Sequence, residues 1–169
     1  MRGIAAIAVC CALAAAVTGA ASSTTTLPRC KASQLKLAGA LQGATQSLLG
    51  TLNLTNRTGT MCALPVAPRR VVLRIGTHVL STLTVRMTRN LEPPGVPTRR
   101  LAPRAGVFVG VQWRNWCGAP RGERRLSVGL TIYPGVTTRA SVGRVRTPRC
   151  VTRKQRSHVS VSRFIVVPP

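Results

Sequence analysis

Short hydrophobic segments with a period of two recur along the chain from residue 34 onwards. Every second side chain in them is apolar, which is typical of a strand that buries one face and exposes the other. The pattern predicts strands over QLKLAGAL (34–41), SLLGTLNLTN (47–56), GVFVGVQW (106–113) and LSVGLTIY (126–133), and weaker strands near 139–146 and 158–167. In the last segment Arg163 falls on the hydrophobic face, so we expect a bulge or a bend there.

Gly76 and Thr77 separate two further alternating segments, 70–76 and 78–87, and predict a hairpin turn. The apolar residues expected to match across this hairpin are Val71, Leu73 and Ile75 on the first strand and Leu83, Val85 and Met87 on the second. Segment 91–104 contains four prolines and is predicted to be a long loop rather than a central strand. About eight short strands without a helical period predict an all-β fold, an antiparallel β-sandwich of about seven to eight strands.

The N-terminus has the composition of a secretory signal peptide: Arg2, an apolar run over 4–17, and small residues after it. We therefore expect residues 1–21 to be a signal peptide, 22–29 a flexible lead-in, and 30–169 a single β-sandwich domain. Cleavage would leave no integral membrane segment, whereas an uncleaved signal would act as a membrane anchor. The predicted location is secreted or extracytoplasmic.

Four cysteines remain after the signal peptide, which predicts two disulfides in an exported chain. Three pairings are possible. The midpoint between Cys30 and Cys62 falls in the turn-like LQGATQS segment, and the midpoint between Cys117 and Cys150 falls at the Pro-Gly turn signal of YPGV. A hairpin would bring each of these pairs together, so we predict the disulfides Cys30–Cys62 and Cys117–Cys150.

The charge is strongly unbalanced: 25 basic residues stand against two acidic ones, Glu92 and Glu123, for a net charge of +23. Such a surface attracts polyanions, which outside a cell would be anionic cell-wall polymers or lipid headgroups. Codon bias towards arginine would instead fit a purely structural extracellular protein. Five aromatic residues are too few for a base-stacking surface, so no specific nucleic-acid partner is expected. The densest basic segment supplies the candidate polyanion patch: Arg144, Arg146, Arg149, Arg153, Lys154 and Arg156.

The inventory of reactive side chains argues against most enzymes. Two isolated carboxylates do not suit glycoside hydrolysis or a calcium site. His78 and His158 are isolated, and oxidised cysteines do not bind zinc, so no metal and no cofactor are expected. The alternative is a thiol-dependent secreted enzyme with Cys117 as nucleophile and one histidine as base, which requires Cys117 to be reduced. We expect a non-enzymatic protein.

Both tryptophans lie in VQWRNWCGAP, residues 111–120. Trp113 continues an apolar stripe and is predicted to lie in the core. Trp116 is the candidate aromatic contact, either stacking on a sugar ligand or packing against the neighbouring disulfide.

Several motifs together resemble a known family: CKASQLKL (30–37), LNLTNRTGTMCAL (52–64), LAPRAGVFVGVQWRNWCG (101–118), LSVGLTIYPG (126–135) and PRC…SHVSVSRF (148–164). They resemble the secreted actinobacterial domain of unknown function 4232, over roughly residues 30–165. The resemblance implies an immunoglobulin-like sandwich that is exported or attached to the cell envelope. It implies no catalytic residues. The resulting hypothesis is a secreted, non-enzymatic binding or scaffold module of the cell envelope with a strongly basic surface.

Overall fold

The computed structural model describes residues 26–118 and 122–167. The predicted signal peptide lies outside the described residues, as does the first part of the predicted lead-in. Single-turn 3-10 helices span Ala32–Gln34 and Arg89–Leu91. The strands are β1 (Leu35–Ala44), β2 (Ser47–Asn56), β3 (Cys62–Ala63), β4 (Arg70–Ile75), β5 (His78–Val79), β6 (Leu83–Arg86), β7 (Val96–Pro97), β8 (Arg100–Leu101), β9 (Gly106–Arg114), β10 (Glu123–Tyr133), β11 (Val136–Arg146), β12 (His158–Val161) and β13 (Ile165–Val166). Across these ranges no helix is long and apolar enough to cross a membrane.

The strands form two main sheets and one small one. The larger sheet has the order β1-β2-β9-β12-β6, and β13 joins it by pairing with β9 and β7. The smaller main sheet has the order β11-β10-β4-β5, and β3 pairs with β8 separately. Neighbouring strands are antiparallel, except that β6 runs parallel to β12.

The two main sheets bury their alternating apolar faces against each other, and this confirms the predicted all-β sandwich. The predicted alternation on β2, β9 and β10 corresponds to the buried side chains. These are Leu48, Leu52 and Leu54; Val107, Val109, Val111 and Trp113; and Leu126, Val128, Leu130 and Ile132. The described strands number thirteen rather than seven to eight, because several two-residue ladders form within segments that the pattern assigned to loops or to longer strands.

The predicted hairpin after Gly76 forms, but it ends after two residue pairs. Arg74 pairs with Val79 and Ile75 with His78, and the chain then crosses to the larger sheet as β6. The prediction that Leu83, Val85 and Met87 would match the apolar face of β4 across this hairpin is therefore wrong. Leu83 is 53% exposed, whereas Met87 is buried elsewhere. Beyond these two pairs, the side chain of Thr84 binds the backbone of β4 at Val71, where the second hairpin strand was expected.

Thr84 satisfies the open edge of β4. Its hydroxyl accepts a hydrogen bond from the Val71 N–H at 3.0 Å and donates one to the Val71 carbonyl at 3.3 Å. At the opposite edge of the sandwich β1 lies alongside β11 without a backbone ladder between them. The packing of β1 against β11 covers the edge strands on this side, and covered edges protect a β-protein against edge-to-edge association.

The β10–β11 hairpin turns at the predicted Pro134 and Gly135. Its ladder skips one residue near Gly143, whose φ of 92° is typical of a glycine bulge. Because the bulge shifts the alternation by one residue, Val142 and Val145 both point into the core. Their spacing of three interrupts the period of two. The pattern therefore predicted only a weaker strand near 139–146, where β11 spans Val136–Arg146.

The structure contains both predicted disulfides, one at each end of the sandwich. Cys30–Cys62 is buried beside β8, with a Cα–Cα distance of 4.9 Å. Cys117–Cys150 is exposed, with a Cα–Cα distance of 4.5 Å, and joins the segments that follow β9 and β11.

The bend predicted at Arg163 separates β12 from β13. Arg163 binds the side chain of Glu92, which is only 7% exposed. The Arg163 Nη2 donates to the Glu92 Oε2 at 2.7 Å, and the Arg163 backbone N–H donates to Oε1 at 3.1 Å. Burial raises the pKa of Glu92, but the hydrogen bonds and charge of Arg163 and the charge of Arg86 outweigh it. The pKa therefore lies below the ordinary value of 4.5.

A carboxyl group with a lowered native-state pKa stabilises the fold above its unfolded-state pKa and loses that contribution as pH falls through the native value. We expect the free energy of unfolding to fall as the pH drops below about 4.5. Replacing Glu92→Gln should remove this dependence and lower the stability at pH 7 by about 2 kcal/mol. Urea titrations across pH measure both effects. The matched control is Glu123→Gln, at an exposed position; an equal loss in both variants would contradict the assignment.

Candidate functional site

One end of the sandwich brings together the predicted basic patch and the NWC segment. The NWC residues follow β9, and the basic segment 147–157 connects β11 to β12. The Cys117–Cys150 disulfide joins the two segments covalently. The features of the sequence that carried the candidate functions therefore share one surface.

The side chain of Asn115 holds the backbone of the basic segment through hydrogen bonds. Its side chain is 3% exposed, and its backbone has a φ of 55°, a left-handed conformation that asparagine tolerates better than most residues. Its Oδ1 accepts hydrogen bonds from the N–H groups of Val151 and Thr152 at 2.8 and 3.0 Å. Its Nδ2 donates to the carbonyls of Thr152 and Gln155 at 2.9 and 2.6 Å. These four bonds hold the loop in one shape.

Trp113 lies fully buried in the core, as predicted. Its Nε1 donates a hydrogen bond to the Ser157 hydroxyl at 2.8 Å, and that hydroxyl donates in turn to the Arg114 carbonyl at 3.2 Å. The ring therefore packs and anchors the start of β12.

Trp116 is half-buried between the core and the surface. Its ring centroid is 5.7 Å from that of Trp113, with the planes tilted by 57°. On its other side the ring covers Gly118 so closely that a Cβ there would lie 2.5 Å from Cζ2. Within residues 26–118 and 122–167, no acceptor pairs with its buried Nε1. Packing rather than hydrogen bonding positions this indole.

Two clefts adjoin Trp116, Cys117 and Gly118, one on each side. The first, of about 530 Å³, is also lined by Ser81, Thr82, Leu83, Asn115, Gln155, Arg156 and Ser157. The second, of about 380 Å³, is also lined by Gly122, Arg146, Thr147, Pro148, Arg149, Cys150 and Arg153.

The second cleft collects three residues of the predicted polyanion patch, Arg146, Arg149 and Arg153. Arg156 lines the first cleft. Arg144 and Lys154 are exposed and are not among the described residues that line either cleft. The structure thus divides the patch into three arginines in the second cleft, one arginine in the first cleft, and two residues outside both.

Little negative charge opposes this group. Glu92 is engaged by Arg163, the only side-chain ion pair in the part of the chain that the structure describes. Glu123 is exposed and pairs through its backbone with Arg146. Since the chain has 25 basic and two acidic side chains, most arginines must draw their counter-ions from solution or from a ligand.

The alternative thiol site would use Cys117 with His78 or His158. Cys117 is bonded to Cys150, so a thiolate there would require reduction. His78 is exposed on β5, and the His158 Nδ1 lies 3.4 Å from the Arg156 carbonyl. Over the described ranges, no group of three or more His, Cys, Asp or Glu side chains could hold a metal ion.

The sequence pattern did not predict several residues of this site. Ser81 and Thr82 reach the first cleft only because the chain leaves β5 for the larger sheet. Gln155 is presented by the loop that Asn115 holds. Only the Asn-Trp-Cys sequence pointed to this end of the sandwich, because it resembles a family motif.

The fold is a two-sheet β-sandwich with a disulfide at each end and a basic, tryptophan-centred surface at one of them. The chain belongs to the family described as domain of unknown function (DUF4232), whose profile matches residues 30–165. Comparison with curated proteins and with solved structures gave no match.

The close approach of Gly118 to Trp116 can be tested directly. In Gly118→Ala the new Cβ would lie 2.5 Å from the ring, so the indole must move and expose more of its surface. We expect a red shift of tryptophan emission relative to wild type, absent when the same change is made in a Trp116→Phe background. Gly43→Ala is the matched control, because a Cβ there meets no atom within 4 Å. An unshifted spectrum for Gly118→Ala would contradict the described packing.

Proposed function

We propose that this protein is a non-enzymatic binding module of the cell envelope whose Trp116 end binds anionic polymers. The observation that carries this proposal is the convergence of Arg146, Arg149 and Arg153 on one cleft beside an aromatic ring. Guanidinium groups bind phosphate and carboxylate oxygens in pairs of parallel hydrogen bonds, so clustered arginines suit a ligand with repeated anionic groups.

The rigidity of the basic segment supports the same function. Cys150 lies between Arg149 and the residues that Asn115 binds, so Arg149 and Arg153 project from a loop fixed by one covalent bond and four hydrogen bonds. Arg146 is the last residue of β11, just before this loop. A preorganised loop loses less conformational entropy on binding than a flexible basic tail does.

The oxidation state of the cysteines supports the proposed location outside the cytoplasm. All four cysteines of the described ranges are paired in disulfides, which persist in oxidising compartments. Anionic wall polymers and lipid headgroups are the polyanions available in such a compartment at a cell surface.

Neutralising the three arginines of the second cleft should weaken polyanion binding more than neutralising three arginines elsewhere on the surface. We expect the triple variant Arg146→Gln, Arg149→Gln and Arg153→Gln to elute from an immobilised polyanion at lower salt, with about tenfold weaker affinity at 0.1 M salt. The salt dependence should also become shallower, because fewer counter-ions are released.

The matched control neutralises three exposed arginines at the opposite end, Arg69, Arg99 and Arg100. It carries the same net charge and should lose much less affinity. Equal losses would indicate that the charge is not organised into a site and would favour a purely structural extracellular protein.

The exposed disulfide should support both stability and binding. Cys117→Ser with Cys150→Ser opens a loop of sequence separation 33, so we expect about 3–4 kcal/mol lower stability in denaturant titrations. Under conditions where this variant stays folded, it should bind the polyanion more weakly, because the loop with Arg149 and Arg153 is less constrained. Wild-type affinity in a folded double variant would show that the disulfide does not organise the site.

A further inference from the structure

The two clefts at the Trp116 end share one wall. Trp116, Cys117 and Gly118 line both of them, so these residues form a ridge with a cleft on either side. A ligand that occupies both clefts must pass over this ridge. The chemistry of the two sides differs, and that difference describes the ligand.

The first cleft presents mainly neutral hydrogen-bonding groups, and Arg156 is the one charged residue among the described residues that line it. Ser81 and Gln155 are exposed and Thr82 is partly exposed, so their hydroxyl and amide groups face solvent. Asn115 and Ser157 also line the cleft, but their side chains are already engaged in hydrogen bonds within the protein. A cleft of about 530 Å³ has room for a small sugar unit.

The second cleft presents charge. Its arginines, Arg146, Arg149 and Arg153, are exposed and carry no bound carboxylate among the described residues. Its neutral lining is backbone, proline and disulfide rather than hydroxyl or amide groups, apart from Thr147. This side therefore suits a phosphate or carboxylate group and offers little to a neutral sugar.

We infer that the ligand is a glycan with anionic substituents, and that a hydroxyl-bearing sugar unit occupies the first cleft while its phosphate or carboxylate group occupies the second. Trp116, half-buried on the ridge, contributes the apolar edge on which the ring of the sugar packs. This inference rests on the proposed polyanion-binding function and specifies its ligand class. A ligand with charge alone would leave the hydroxyl and amide groups of the first cleft without partners.

Four probes separate the contributions of the two clefts and the possible sources of anionic groups: a polyuronate, inorganic polyphosphate, uncharged dextran, and anionic phospholipid vesicles. At equal concentrations of anionic groups and equal salt, we expect the wild type to bind the polyuronate more tightly than polyphosphate, and dextran weakly. Titrations can be followed by tryptophan fluorescence, because Trp116 lines both clefts.

The decisive variant combines Ser81→Ala, Thr82→Val and Gln155→Ala. It should lose about tenfold in affinity for the polyuronate through the missing hydrogen bonds, while its affinity for polyphosphate stays unchanged. The variant with Arg146, Arg149 and Arg153 replaced by Gln should lose affinity for both polyanions. A matched control, Gln42→Ala with Thr88→Val and Ser141→Ala, removes the same side-chain types at exposed positions that line neither cleft.

The outcomes distinguish the two proposals. If the wild type binds polyuronate and polyphosphate equally and the first-cleft variant binds as the wild type does, the glycan assignment is wrong and polyanion binding stands. If the wild type binds neither polyanion, the proposed function itself is wrong. Binding of dextran as tightly as polyuronate, or a preference for anionic phospholipid vesicles over polyuronate, would also overturn the glycan assignment.

Discussion

The near absence of carboxylates constrains everything else in this protein. With 25 basic and two acidic side chains, the chain cannot offset its own charge, and the native state carries the repulsion of a net charge of +23. Ion pairs can therefore contribute little to stability. The single described ion pair, Arg163 with Glu92, holds the bend between β12 and β13. The remaining cohesion must come from neutral interactions.

Two buried asparagines provide much of that neutral cohesion in the loops. Asn56 is fully buried near the Cys30–Cys62 end; its Oδ1 accepts from the Thr58 N–H at 3.0 Å and its Nδ2 donates to the Thr60 carbonyl at 2.7 Å. Asn115 does the same beside the other disulfide. An amide both donates and accepts, so one side chain can satisfy several backbone groups without adding charge. Each end of the sandwich thus combines one covalent bond with one neutral hydrogen-bonding hub.

The sequence predicts the parts of this structure that depend on local periodicity. The alternation over β2, β9 and β10, the two disulfides and the turn at Pro134 all follow from spacing along the chain. What the pattern misses depends on contacts between distant segments. Whether 83–86 pairs with β4 or with β12 is decided by strand pairing across the sandwich, because its alternation would fit either neighbour.

The candidate site divides in the same way. Its charged half was predictable, because Arg146, Arg149 and Arg153 are close in sequence and a disulfide predicted from spacing holds them. Its neutral half was not, since Ser81 and Gln155 are 74 positions apart and meet only once β6 has joined the larger sheet. Composition identifies charge, whereas the arrangement of neutral donors is a property of the fold.

The parallel pairing of β6 with β12 has a consequence for the order of assembly. Residues 83–86 pair with residues 158–161, so this edge of the sheet cannot close until nearly the whole chain is present. The same strand β12 also flanks the central strand β9. Contacts between such distant segments form slowly, because a long loop must close before they are made. A chain still being synthesised therefore lacks the ladders of β12 and β13. The first cleft, which includes Ser81 and Ser157, forms only after the segment that contains Ser157 has been made.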